Sequence, residues 1–136
     1  MCDNGQGVPQ DVAEAVKWYR LAADQGYAMA QYNLGVMYDN GQGVPQDDAE
    51  ALKWYRLAAD QGQADAQFNL GVMYYNGQGV PKDLIEAYAW SFIAAAGGDA
   101  DAANIRDVVA GELTPEQLAE VLKRATELFG KISSGK

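Results

Sequence analysis

The chain has no histidine, a single cysteine, four prolines and only ten basic residues among its 136. Without histidine it lacks the side chain that most often serves as general base or metal ligand near neutral pH. Every Ser–His or Cys–His nucleophile arrangement goes with it. A lone cysteine, Cys2, can form neither an intramolecular disulfide nor a cysteine-clustered metal site. The ten Lys and Arg face nineteen Asp and Glu, for a net charge of −9. That leaves no basic footprint for nucleic acid and no attraction to an anionic membrane surface. Basic peptides and neutral ligands remain open as partners. No apolar run approaches the ~18 residues of a membrane-crossing helix. Residues 1–10 are polar and glycine-rich and carry no signal-peptide pattern, and nothing names a compartment. Leu, Ile, Val and Phe are modest in number, so Ala, Tyr and Trp must supply much of any core.

What the chain does have is repetition. Tryptophan returns every 36 residues, at Trp18, Trp54 and Trp90. The segment Asp11 to Gly26 recurs almost letter for letter as Asp47 to Gly62, with a looser copy from Asp83 to Gly98. A fixed period of this size marks a stacked repeat array. Each unit reads as two helices. Helix A of the unit 27–62 covers about Ala28 to Asn40, with Ala30, Leu34, Met37 and Tyr38 at helical spacing. Gly41-Gln42-Gly43 stops it, and Val44-Pro45 holds the chain extended. Helix B follows Asp47, where Asp47 and Glu50 form a capping-box pattern repeated at Asp11/Glu14 and Asp83/Glu86. It is expected to bury Ala51, Trp54, Tyr55 and Ala58, each large aromatic contributing on the order of 1.5–3 kcal/mol.

These residues carry a resemblance. Leu34-Gly35-x-x-Tyr38, Gly41-x-Gly43-Val44, Asp47, Ala51-x-x-Trp54-Tyr55 and Ala58-Ala59-x-x-Gly62, and their copies from Leu70 to Gly98, resemble the Sel-one-like repeat (SLR) family, a relative of the tetratricopeptide (TPR) repeat. The resemblance covers about residues 1–98. It implies an all-α, right-handed TPR-like solenoid of antiparallel helix pairs, about seven helices in one domain, with a C-terminal capping helix. Residues 1–26 read as an incomplete repeat lacking its helix A, because Met1 to Gly7 aligns with Met37 to Gly43. Residues 27–62 and 63–98 are full repeats, 99–130 a degenerate repeat with its cap, and 131–136 a frayed tail. Thr114-Pro115-Glu116-Gln117 is a strong helix start, and Leu118, Val121, Leu122, Ala125, Leu128 and Phe129 are expected to form one apolar face.

Several candidate sites fail on chemistry. Gly41-Gln42-Gly43 lacks the Lys-Ser/Thr of a phosphate loop. The stretch from Asp39 to Glu50 has calcium-loop length, but Gly41 and Gly43 offer no side-chain oxygen and Val44 stands where Gly is required. The carboxylates on each helix B suit helix starts. A cysteine-rich SLR subgroup is linked to β-lactams, but its paired cysteines are missing here. No enzyme activity, cofactor or metal is expected.

The remaining candidate is the inner wall, which the TPR resemblance assigns to the A helices. It places Tyr32, Asn33, Val36 and Asp39 there, followed by Phe68, Asn69, Val72 and Tyr75. Asn33 and Asn69 hold the position before Leu-Gly that often bonds a peptide backbone in TPR clamps, and an amide offers both donor and acceptor. The aromatics beside them would anchor side chains. The alternative is that these groups only pack between repeats, while the tryptophans are chiefly core. The expected role is a protein-interaction or adaptor module for a peptide or folded partner. Two other readings stand beside it. One is a small-ligand or cell-wall-glycan module stacking sugars on Tyr32, Phe68 and Tyr75. The other is a truncated array that self-associates, as a homodimer, through an apolar strip at Trp18 and Tyr19.

Overall fold

The computed structural model describes the backbone of residues 8–134 and the side chains of residues 12–132. Seven helices and no strand occur among the described residues: α1 (Val8–Asp24), α2 (Ala28–Asn40), α3 (Asp48–Asp60), α4 (Ala64–Asn76), α5 (Leu84–Ala96), α6 (Ala100–Ala110) and α7 (Pro115–Ser134). In repeat terms α2, α4 and α6 are A helices, and α1, α3 and α5 are B helices. α2 packs on α3 and α4 on α5, and the pairs stack through α1–α2, α3–α4 and α5–α6 contacts into a helical solenoid.

The periodic residues build this stack locally. Gly41 and Gly77 take the left-handed conformation that ends α2 and α4, and their N–H groups return to Met37 and Met73 carbonyls. Asp47 and Asp83 cap α3 and α5, accepting from Glu50 N at 3.1 Å and from Ile85 N and Glu86 N at 3.0 and 3.1 Å. The second glycine of each turn serves the stack. A Cβ on Gly79 would stand 2.7 Å from the backbone carbon of Asp48, so only glycine lets the turn settle on the preceding helix B. The buried Gln31 and Gln67 tie each A helix to the B helix before it, donating to the Ala23 and Ala59 carbonyls at 3.2 Å.

Trp54 and Trp90 each reach back onto the preceding pair. Trp54 is buried with Val16 and Ala23 of α1 and Ala30 and Leu34 of α2. Trp90 sits deep in the larger core cluster, under the Arg56 guanidinium of α3 at 5.7 Å from the ring centre. Trp18 has no described pair before it and is 60% exposed, against 5% for Trp54 and 1% for Trp90.

Several expectations are corrected. α1 begins at Val8, so Asp11 lies inside the helix and not at its cap; the Asp11 side chain, like Cys2, falls outside the described residues. Glu86 does not reach back to close a capping box. Its carboxylate takes both the Nε and Nη2 of Arg124 on α7, at 2.9 and 3.3 Å, the stronger partner. α7 itself packs chiefly against α5. Its start is as expected: Thr114 Oγ1 accepts from Gln117 N at 3.1 Å and Gln117 Oε1 accepts from Thr114 N at 2.9 Å. Its end is not, because the helix runs on to Ser134 and Ile132 is buried, extending the Val121, Ala125, Leu128 stripe by one turn where a tail was expected from residue 131. Leu122 and Phe129, assigned to that stripe, are exposed, since α7 packs chiefly against α5 and their side of the helix is less covered.

Candidate functional site

Three of the expected inner-wall residues, Tyr32, Asp39 and Asn69, come together around Tyr55, a residue expected in the core. A Cβ on Gly35 would lie 2.7 Å from Cδ1 and Cε1 of the Tyr55 ring. The absent side chain is what lets the ring lie flat against α2. From there the Tyr55 hydroxyl donates to Asp39 Oδ2 at 3.1 Å, and its ring stands 5.8 Å from that of Tyr32 at 36°. Asn69, on α4, stands close enough to both tyrosine hydroxyls that its amide favours their ionised forms, opposing burial. One polar cluster therefore joins α2, α3 and α4.

Its electrostatics are those of neutral phenols beside carboxylates. Burial pushes the Tyr55 phenol up from 10.0, and the charge and hydrogen bond of Asp39 push it further. Burial and the Asp65 carboxylate raise Tyr32 in the same direction, partly offset by Asn69. Asp65 was not among the expected residues. It lies in the first turn of α4, where it reads as a helix-start charge, and only the neighbouring Tyr32 gives it a second role.

All eight expected inner-wall side chains are half-buried. Tyr32, Asp39 and Asn69 belong to this first cluster. Asn33, next to Tyr32 in sequence, has no intrachain side-chain hydrogen bond among the described residues, whereas Asn69 lies near both tyrosine hydroxyls. Val36 packs against the larger core, and Val72 is half-buried one repeat on. Phe68 follows Tyr32 by one repeat. Tyr75 follows Asp39 but forms a separate site: its hydroxyl donates to Glu112 Oε2, and the Lys82 ammonium lies 5.1 Å from its ring centre. The equivalent of Tyr55 in the next repeat is Ser91, whose Oγ is buried against Gly71 without a partner, so the tyrosine cluster is not repeated.

The expected N-terminal strip is split. Trp18 and Leu21 are exposed, but Tyr19 is half-buried against the Trp54 core and is not part of an open face. A separate hollow of about 310 Å³ lies between the α3–α4 turn, the end of α5 and α7, lined in part by Gln67, Ile93, Phe129 and Ile132. None of the eight inner-wall residues lines it. No helix among the described residues is long and apolar enough to cross a membrane.

Comparison with known proteins adds three findings. The model described as the Sel1 repeat matches residues 1–27, 28–63 and 64–99. The crystal structure of a protective antigen from uropathogenic Escherichia coli strains, displaying an SLR fold, is similar at a TM-score of 0.87 and 35% identity, over 90% of this chain and 27% of that one. A Sel1 repeat protein from Oxalobacter formigenes is similar at a TM-score of 0.66 and 44% identity, over 68% of this chain and 27% of that one. The chain thus spans about a quarter of the length of these two solved structures. Among curated proteins nothing matches.

Proposed function

The chain belongs to the Sel1 repeat family, whose fold is generally a protein–protein interaction module, and from that premise we propose that it binds an extended segment of a protein partner along the face made by α2 and α4. The observation that carries this reading is the Tyr32–Tyr55–Asn69 cluster. It gathers the Tyr32 and Tyr55 rings from α2 and α3 with the Asn69 amide from α4, and leaves Asn33, next to Tyr32 in sequence, without an intrachain side-chain hydrogen bond among the described residues. A half-buried amide with donor and acceptor both unused suits the backbone of an incoming strand, whose own N–H and C=O need partners once they leave water. Tyr32 and Phe68 offer ring faces for its side chains, and Val36 and Val72 an apolar floor. Asp39 and Tyr75 stand at the far end of the two A helices. Asn69 acts as a positioning residue beside the tyrosine hydroxyls.

A displayed peptide library selected against the wild-type chain tests this. Binders should lose about tenfold or more in affinity with Asn33→Ala, equivalent to a lost buried hydrogen bond of about 1.4 kcal/mol, and also with Phe68→Ala. Binders indifferent to both substitutions would place recognition elsewhere.

A further inference from the structure

The A helices that carry the proposed face have no cation of their own. α2 and α4 contain neither lysine nor arginine, and the one arginine of α6, Arg106, is paired with its neighbour Asp107 at 3.0 Å. Basic residues sit on the B helices and α7 instead, and several are engaged there. Arg20 donates to the Tyr38 hydroxyl and Arg56 to that of Tyr74, Lys53 lies 4.9 Å from the Trp54 ring centre, and Arg124 holds Glu86. The tyrosine pair of the face has the Asp39 carboxylate bonded to the Tyr55 hydroxyl, and the charge of Asp65, in the first turn of α4, acts on Tyr32. Asp39 receives only the Tyr55 hydroxyl, and neither carboxylate has an ion pair among the described residues.

One repeat further on, the chain supplies its own cation. Lys82 lies over the Tyr75 ring, whose hydroxyl is held by the Glu112 carboxylate. In the first repeat the same two positions are Gln46 and Asp39, and Gln46 turns away to donate to Asp48 at 2.6 Å. The aromatic rings and carboxylates are therefore present there without the ammonium.

We infer that the segment bound by the α2–α4 face is cationic, and that a lysine or arginine of the partner lies on the Tyr32 ring with its charged end at Asp39 or Asp65. This rests on the peptide-binding reading above and adds the chemistry of the ligand. A long basic side chain lays its methylene stem on an aromatic face and keeps its charge at a carboxylate. An acidic segment or a free C-terminal carboxylate would meet two like charges at the tyrosine pair, while the Lys82 ammonium lies over Tyr75 one repeat away, which is a specificity device in itself.

The test is fluorescence anisotropy with three labelled pools of dodecapeptides of equal apolar content, one rich in lysine and arginine, one in aspartate and glutamate, one in serine and glutamine. The chain is compared with Asp39→Asn/Asp65→Asn, with Asn33→Ala, and with a charge-matched control, Glu116→Gln/Glu120→Gln on α7. The inference expects the basic pool to bind best, to weaken about tenfold or more with the face double variant, and to change no more than about twofold with the control. Equal weakening in both double variants would reduce the effect to net charge and overturn the seat. Preferential binding of the acidic or neutral pool, still lost with Asn33→Ala, would overturn the cationic ligand and leave the face. Loss of no pool's binding with Asn33→Ala would overturn the face itself. Circular dichroism of each variant separates these outcomes from misfolding.

Discussion

Gly35 and Tyr55 are one unit at the scale of single residues. The ring fills the space a side chain at 35 would need, and its hydroxyl is tied to Asp39, so it has little room to retreat. Gly35→Ala should destabilise by about 1–3 kcal/mol in urea unfolding, the usual cost of overpacking; a neutral substitution would mean that the ring is not fixed. The same tyrosine sets a pH dependence. A phenol whose folded value is raised above 10.0 stabilises the fold fully below that pH, and the contribution is lost as pH rises through the folded value. Stability should therefore fall more steeply above about pH 10 in the wild type than in Tyr55→Phe, and equal alkaline slopes would contradict the raised phenol. Among the tryptophans, Trp54→Ala should cost about 3–5 kcal/mol by emptying a packed site, whereas the exposed Trp18→Ala should cost less than about 1 kcal/mol. Denaturant unfolding of the two variants decides, and similar losses would contradict the exposure of Trp18. The sequence places all three tryptophans in the same helix-B motif, and sets Trp18 apart only by its incomplete repeat. How far each is buried depends on the neighbour it meets, and that information lies a whole repeat away.

At the scale of the element, the helix ends were the most legible part of the chain, because they depend on a few adjacent residues. Asp47, Asp83, Gly41, Gly77 and Thr114 each act where their local chemistry places them. The readings that needed correction involve partners distant in sequence: Glu86 finds Arg124, and Ile132 finds the α5 side of the core. One end stands out physically. Gln63 and Asp99 cap α4 and α6 with side-chain acceptors, but Tyr27, at the same position before α2, makes no such bond and is 61% exposed. Tyr27→Asp should raise stability by about 0.5–1 kcal/mol by supplying the missing acceptor, read as a higher urea midpoint at unchanged m-value. No gain would mean that α2 starts without need of a cap.

Over the whole molecule the array is uneven. One end shows an exposed tryptophan, while at the other α7 folds back onto α5 through a bidentate ion pair. Repeat arrays open from the least supported end. Amide hydrogen exchange should therefore find α1 the quickest to exchange and α4 and α5 the slowest, and uniform protection would contradict a stack of unequal ends. The TPR resemblance implied that the A helices carry the candidate face, and the eight residues expected there are half-buried. The sequence could not show that Tyr55 and Asp65 belong with them, since one reads as core and the other as a helix-start charge. Nor could it separate the two asparagines, because Asn69 meets tyrosines from two other helices and Asn33 meets none. The central claim is that recognition takes place on α2 and α4. An amide chemical-shift titration of the chain with the tightest-binding basic dodecapeptide tests it most directly. The account predicts the largest changes at Tyr32, Asn33, Val36, Asp39 and Asn69, saturating together at one affinity; largest changes on α1 or α7, with those five amides unmoved, would contradict it.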